Sequence, residues 1–176
     1  MSKKREDKVT SRSHGKNSRS GSCMHNVEDD STQCTRVSKI KLVDKGSIRF
    51  AVFLNPLKQE YIKRRMDGGI VKNATSADWM LSREDAGDVV VELKGGDVHH
   101  ALEQVIATAE FATRNGLLCG KIAALILCTQ HPGIDTKIQR AMSSFARRFR
   151  GPIHTRNRSG EFVFDRVLSF NGPEGS

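Results

Sequence analysis

The sequence predicts an α/β fold in which a mixed β-sheet is flanked by helices and preceded by a disordered basic tail, and three observations carry that expectation. Lys121-Ile-Ala-Ala-Leu-Ile-Leu-Cys128 has no polar alternation after its first residue, the pattern of a strand buried on both faces in the middle of a sheet. Ser76 to Leu81 and Asp88 to Leu93 are short strand-like runs separated by the polar turn Ser82 to Gly87, which reads as a hairpin. Val98, Ala101, Leu102, Val105, Ala109 and Ala112 recur at three- and four-residue intervals and make one apolar stripe on a helix.

A chain of 176 residues suits one domain with a continuous core. Residues 1–36 are rich in Ser, Lys, Arg, Asn and Gly and almost without large apolar side chains, so burial cannot offset the entropy of ordering them; a flexible basic tail is expected. Cys23, His25 and Cys34 would give zinc three ligands, but without a CxxC pair or a fourth ligand a flexible segment is the better expectation. The domain is expected over 37–170, with 171–176 a flexible C-terminus.

Within the domain, Val37 to Val43 and Ser47 to Leu54 predict strands about an Asp44-Lys45-Gly46 turn, and Asn55-Pro56 ends the second because proline donates no ladder bond. Glu60 to Met66 predicts a third strand or an irregular element. After the hairpin, Gly95-Gly96-Asp97 supplies a break and a helix N-cap, and Asn115-Gly116 the C-terminal stop. Beyond the central strand and His131-Pro132-Gly133, a second amphipathic helix is predicted from Asp135 to Phe149, packed through Ile138, Ala141, Met142, Phe145 and Phe149. Ile153 to Thr155 and Glu161 to Leu168 predict a final hairpin about Asn157 to Gly160.

The formal net charge of +9 predicts attraction to polyanions, nucleic acid first among them. Lys63, Arg64 and Arg65, together with Arg147, Arg148 and Arg150, are the candidate phosphate contacts. No run approaches the roughly 20 apolar residues of a membrane span, and no apolar region follows Lys3-Lys4-Arg5 to make a secretory signal. A cytoplasmic protein with reduced cysteines is therefore expected, with nucleoid association the variant that its charge allows.

The chemistry concentrates between Asp78 and Gln104. Alternation along a strand puts Glu92 and Lys94 on one face, and the hairpin brings Asp78 beside Glu92. Two carboxylates on rigid backbone suit Mg²⁺, with Lys94 orienting or deprotonating an attacking water. An ExK triplet alone usually marks a surface salt bridge; this one ends a Val-rich strand and is followed at once by Gly-Gly and a capped helix. His99 and His100 open that helix, where solvation is the commoner fate, and Trp79 and Tyr61 suit the core better than base stacking.

Ala77-Asp-Trp-Met-Leu, then Val89-Val-Val-Glu-Leu-Lys-Gly, then Asp97 to Gln104, resembles the catalytic hairpin and helix of the PD-(D/E)XK nuclease superfamily. The resemblance spans about Tyr61 to Cys128 and implies a restriction-endonuclease-like core with Mg²⁺-dependent, Mn²⁺-tolerant hydrolysis of phosphodiesters, DNA before RNA. It implies Asp78, Glu92 and the Leu93 carbonyl as metal ligands, Lys94 as the catalytic lysine and Gln104 as the motif glutamine. By analogy with small members, a homodimer is a further expectation. Ala77 stands where the name-giving proline would be, and Glu60 or Asp67 is the candidate for the acid that often comes from an earlier helix. The alternative is a non-catalytic nucleic-acid-binding or regulatory protein on the same fold.

Overall fold

The computed structural model describes residues 30–45, 47–129 and 135–173, with Lys94 and Gly95 described through their backbone alone. Two sheets and two long helices make three layers. Strands β1 (Thr32–Thr35), β4 (Tyr61–Arg65), β5 (Trp79–Arg83), β6 (Gly87–Gly95), β7 (Lys121–Cys128) and β8 (Ile153–Arg156) form a six-stranded sheet in that order. The pairs from β1 to β6 are antiparallel, and β6, β7 and β8 are parallel, so the sheet is mixed. The parallel connections run through helix α1 (Val98–Arg114) and helix α2 (Thr136–Phe149). A second sheet joins β2 (Lys39–Val43), β3 (Phe50–Leu54) and β9 (Gly160–Val163), and the short helix α3 (Phe164–Val167) follows.

Period-two patterning sorts the layers. Along β6, Val89, Val91 and Leu93 face the small sheet and meet Ile40, Leu42, Ala51, Phe53 and Phe162, whereas Val90 faces the helices with Ala101, Leu102, Val105, Ile138 and Phe145. Strand β7 is buried from Ile122 to Cys128, as its unbroken apolar run predicts. Each fully buried Val, Leu or Ile contributes about 1.5–3 kcal/mol, so these central strands contribute to the apolar stabilisation of both layers. Asp97 caps α1 by accepting from the His99 and His100 N–H groups.

Two expectations need correction. Thr32–Thr35 is an edge strand on β4, not the end of a tail; its hydrogen bonds are made by backbone, and an edge strand with solvent on its outer side needs no apolar side chains. Residues 1–29 of the predicted tail lie outside the described residues, Cys23 and His25 of the candidate zinc site among them, as do Gly46 and the His131-Pro132-Gly133 turn. The C-terminal segments do not form a hairpin: β8 joins the large sheet beside β7, β9 pairs in parallel with β3 in the small one, and Phe164–Val167 is helical. The two strands diverge because Phe162 and Phe164 are needed between the sheets, where Phe164 packs edge-on against Tyr61 at 5.0 Å. Residues 171–173, expected to be flexible, follow α3 with Pro173 buried.

His154 on β8 fastens α3 to the large sheet, its Nε2 donating to the carbonyls of Val167 and Ser169, each at 3.1 Å. Burial pushes its pKa below the ordinary histidine value despite those carbonyls, which favour the charged ring. A folded-state pKa below the unfolded one means that the unfolded chain takes up the proton first. The contribution of neutral His154 is therefore complete above about pH 6.5 and is lost as pH falls below it. Melting temperature should drop between pH 7.5 and pH 5.5, and His154→Gln should show a smaller drop over the same interval.

Candidate metal and catalytic site

The carboxyl ends of β6 and β7 and the N-terminus of α1 meet at one end of the large sheet, where parallel strands of open sheets commonly bind ligands. Register brings the first two site residues together there. Trp79 pairs with Val91, so one residue further along the hairpin Asp78 lies opposite Glu92. Residues so opposed have Cβ atoms about 4.5–5.5 Å apart. Both carboxylates are buried, Asp78 at 8% and Glu92 at 3% exposure.

Asp78 Oδ2 accepts from the Leu93 N–H at 2.7 Å, which ties the two motif segments to each other. Against β7, Glu92 pairs with Ile126 and Gly95 with Cys128, so Leu93 and Lys94 together span the single residue Leu127. This is a β-bulge at the ExK triplet, and bulges re-aim side chains beside active sites. It also breaks the one-to-one register of β6 with β7 at the triplet. The Lys94 side chain lies outside those described. The Leu93 carbonyl accepts from Ser47 Oγ at 3.3 Å and, with two lone pairs, retains capacity for a second partner.

Helix α1 holds the Asp78 segment from behind. Gln104 Nε2 donates to the Ser76 carbonyl at 3.0 Å, and the Ala77 N–H donates to Thr108 Oγ1 at 2.7 Å. Gln104 is thus a positioning residue for the strand that carries Asp78. Thr108 was not singled out from sequence, although a hydroxyl three residues past Val105 on a buried stripe was the signal for it. Ser47 gave no signal, because its role depends on the loop after β2 folding over β6.

The candidate third acids stay apart. Glu60 precedes β4 at the opposite end of the sheet and is paired with Arg36 at 2.7 Å. Asp67 lies at the correct end, its N–H donating to the Ala77 carbonyl at 3.1 Å, but its side chain is exposed. No group of three His, Cys, Asp or Glu with metal-binding geometry occurs among the described residues.

The candidate phosphate contacts are also dispersed. Arg64 is buried on the helix-facing side, donating to Ser82 Oγ at 2.8 Å, and Ser82 pairs with Asp88. Burial raises the Asp88 pKa, against the Ser82 hydroxyl, the Cys119 and Gly120 N–H groups and the Arg64 charge. Arg64 is therefore corrected to an interior counter-charge. Lys63 sits 4.4 Å over the Trp79 ring and donates to the Lys41 carbonyl, while Trp79 Nε1 donates to the Val43 carbonyl. Arg65 is half-buried on the same strand. Arg147, Arg148 and Arg150 lie where α2 ends, at the amino end of β7, and Arg148 pairs with Glu110. At about 3.3 Å per strand residue, the length of β7 separates them from the carboxylates by roughly 20 Å. His99 meets Asp135 at 2.9 Å and His100 lies 3.7 Å from Glu103.

Comparison with protein-family models, curated proteins and solved structures finds no match to the chain. No described helix is long and apolar enough to cross a membrane.

Thr108→Val keeps the shape of the side chain but leaves the buried Ala77 N–H without its acceptor, and should cost about 1–3 kcal/mol in urea unfolding. Gln104→Ala, at a half-buried position, should cost less; equal losses would mean that Thr108 does not hold the Asp78 segment in the way described.

Proposed function

We propose that the chain is a metal-dependent nuclease of PD-(D/E)XK type with a restriction-endonuclease-like core, hydrolysing phosphodiester bonds in DNA in preference to RNA. The observation that carries this reading is the pairing of two buried carboxylates, Asp78 and Glu92, at a bulge that ends a parallel strand. Two neighbouring carboxylates supply hard oxygen donors, which suit Mg²⁺.

The donor set fits such an ion. Asp78 and Glu92 would hold it with the Leu93 carbonyl, and water and substrate phosphate would fill the remaining positions, as is usual where Mg²⁺ is bound by only one or two protein carboxylates. Bound there, Mg²⁺ or Mn²⁺ would supply Lewis-acid stabilisation of charge on the phosphate. The chain's own contribution is positional. The Leu93 N–H orients Asp78, Gln104 and Thr108 hold the strand behind it, and Lys94 is assigned to orient or deprotonate the attacking water.

Wild-type protein should nick or cut DNA with Mg²⁺ and lose that activity in EDTA. Lys94→Ala and Glu92→Gln should each reduce cleavage at least a hundredfold while DNA binding measured without metal stays within a factor of about three. Binding without cleavage by the wild type, in Mg²⁺ and in Mn²⁺, would replace this reading with the non-catalytic nucleic-acid-binding one.

A further inference from the structure

We propose that the loop after β2 and the loop after β8 form a rim that binds duplex DNA, with Ile48 as an apolar wedge between base pairs and Lys45, Arg49 and Arg158 as phosphate contacts. The choice of DNA over other polyanions rests on the nuclease reading, and the proposal adds the surface by which that substrate reaches Asp78 and Glu92.

Residues 44–49 and 156–159 contain four cations, Lys45, Arg49, Arg156 and Arg158, against the single acid Asp44. The two loops are joined: Arg49 Nη1 donates to the Asn157 carbonyl at 2.9 Å, and the Phe50 N–H donates to Ser159 Oγ at 3.0 Å. They are also fixed to the candidate site, through Ser47 Oγ on the Leu93 carbonyl and Trp79 Nε1 on the Val43 carbonyl. Ile48 projects from this braced loop with 94% of its surface exposed, more than any other large apolar residue described.

A lone exposed isoleucine is ordinarily unremarkable. Here it is flanked by cations, on a loop anchored at its base, beside a pair of buried carboxylates. Apolar side chains presented in this way enter base steps and kink a duplex, while neighbouring cations hold its phosphates. Of the candidate phosphate contacts, Arg64 is buried and Arg147, Arg148 and Arg150 lie at the far end of the sheet.

The test uses the full chain in EDTA, with fluorescence anisotropy on a duplex of about 20 base pairs and on one of its strands, from 50 to 200 mM salt. Lys45→Ser combined with Arg158→Ser should weaken duplex binding about tenfold and lower the slope of log affinity against log salt by about two. Ile48→Ser should weaken duplex binding about fivefold, leave the slope unchanged and leave single-strand binding unchanged. Arg147→Ser combined with Arg150→Ser is expected to stay within twofold of wild type. The proposal is overturned if the far-end pair causes the loss, if the loop variants bind like wild type, if single strands are preferred, or if wild type does not bind duplex. Duplex binding that depends on the rim, without cleavage in Mg²⁺, would support the rim and reject the nuclease reading. Normal cleavage by both loop variants would reject the rim alone.

Discussion

The hydrogen bond from the Leu93 N–H to Asp78 Oδ2 is the contact on which the candidate site depends. A bulge frees a strand from strict register, and β6 has one immediately after Glu92. Left to itself, such a strand end would sample several positions for its side chains. The Asp78 carboxylate removes that freedom by taking the amide at the start of the bulge, and α1 in turn fixes the segment that carries Asp78. The order of support runs from helix to β5 to β6, so a change on α1 reaches the carboxylates without touching either.

The same sheet buries a third carboxylate in a different manner. Asp88 lies four residues before Glu92, on the same helix-facing side, and is surrounded by the Ser82 hydroxyl, two backbone N–H groups and the nearby charge of Arg64. Both N–H groups donate to Oδ2, and removing Arg64 would take away a nearby compensating charge, a loss that typically costs several kcal/mol. Glu92 sits instead toward the carboxyl end of β6, with Asp78 opposite it just before β5, where the sheet gives way to loops. Two acids on one strand face thus differ in their distance from the end of the sheet.

Much of this arrangement was legible in the residues. The apolar run of β7, the stripe of α1, the Asp97 cap and the hairpin that opposes Asp78 to Glu92 all follow from local patterns, because each is set by periodicity or by a turn. Gln104 was singled out by resemblance and occupies a supporting position. What sequence did not give were contacts set by partners distant in the chain. Thr32–Thr35 carries no apolar signal because an edge strand is held by backbone; Arg64 reads as one of three surface cations until β5 supplies Ser82 to receive it. The C-terminal segments have hairpin spacing, but their aromatic residues are drawn between two sheets that no local pattern encodes.

The parallel pairing of β9 with β3 joins residues more than a hundred positions apart, Ala51 with Gly160 and Phe53 with Phe162. A chain emerging from the ribosome would complete the β2–β3 hairpin early, yet one edge of β3 stays uncovered until the last strand is made. During that interval Phe53 and Ala51 lack their closing neighbours, and the nascent sheet offers an open ladder to any other extended segment. Closing so long a loop is a slow step, so the final ten or so residues of the domain act as the latch of its assembly, and the loops beside the candidate site acquire their fixed positions only when that latch engages.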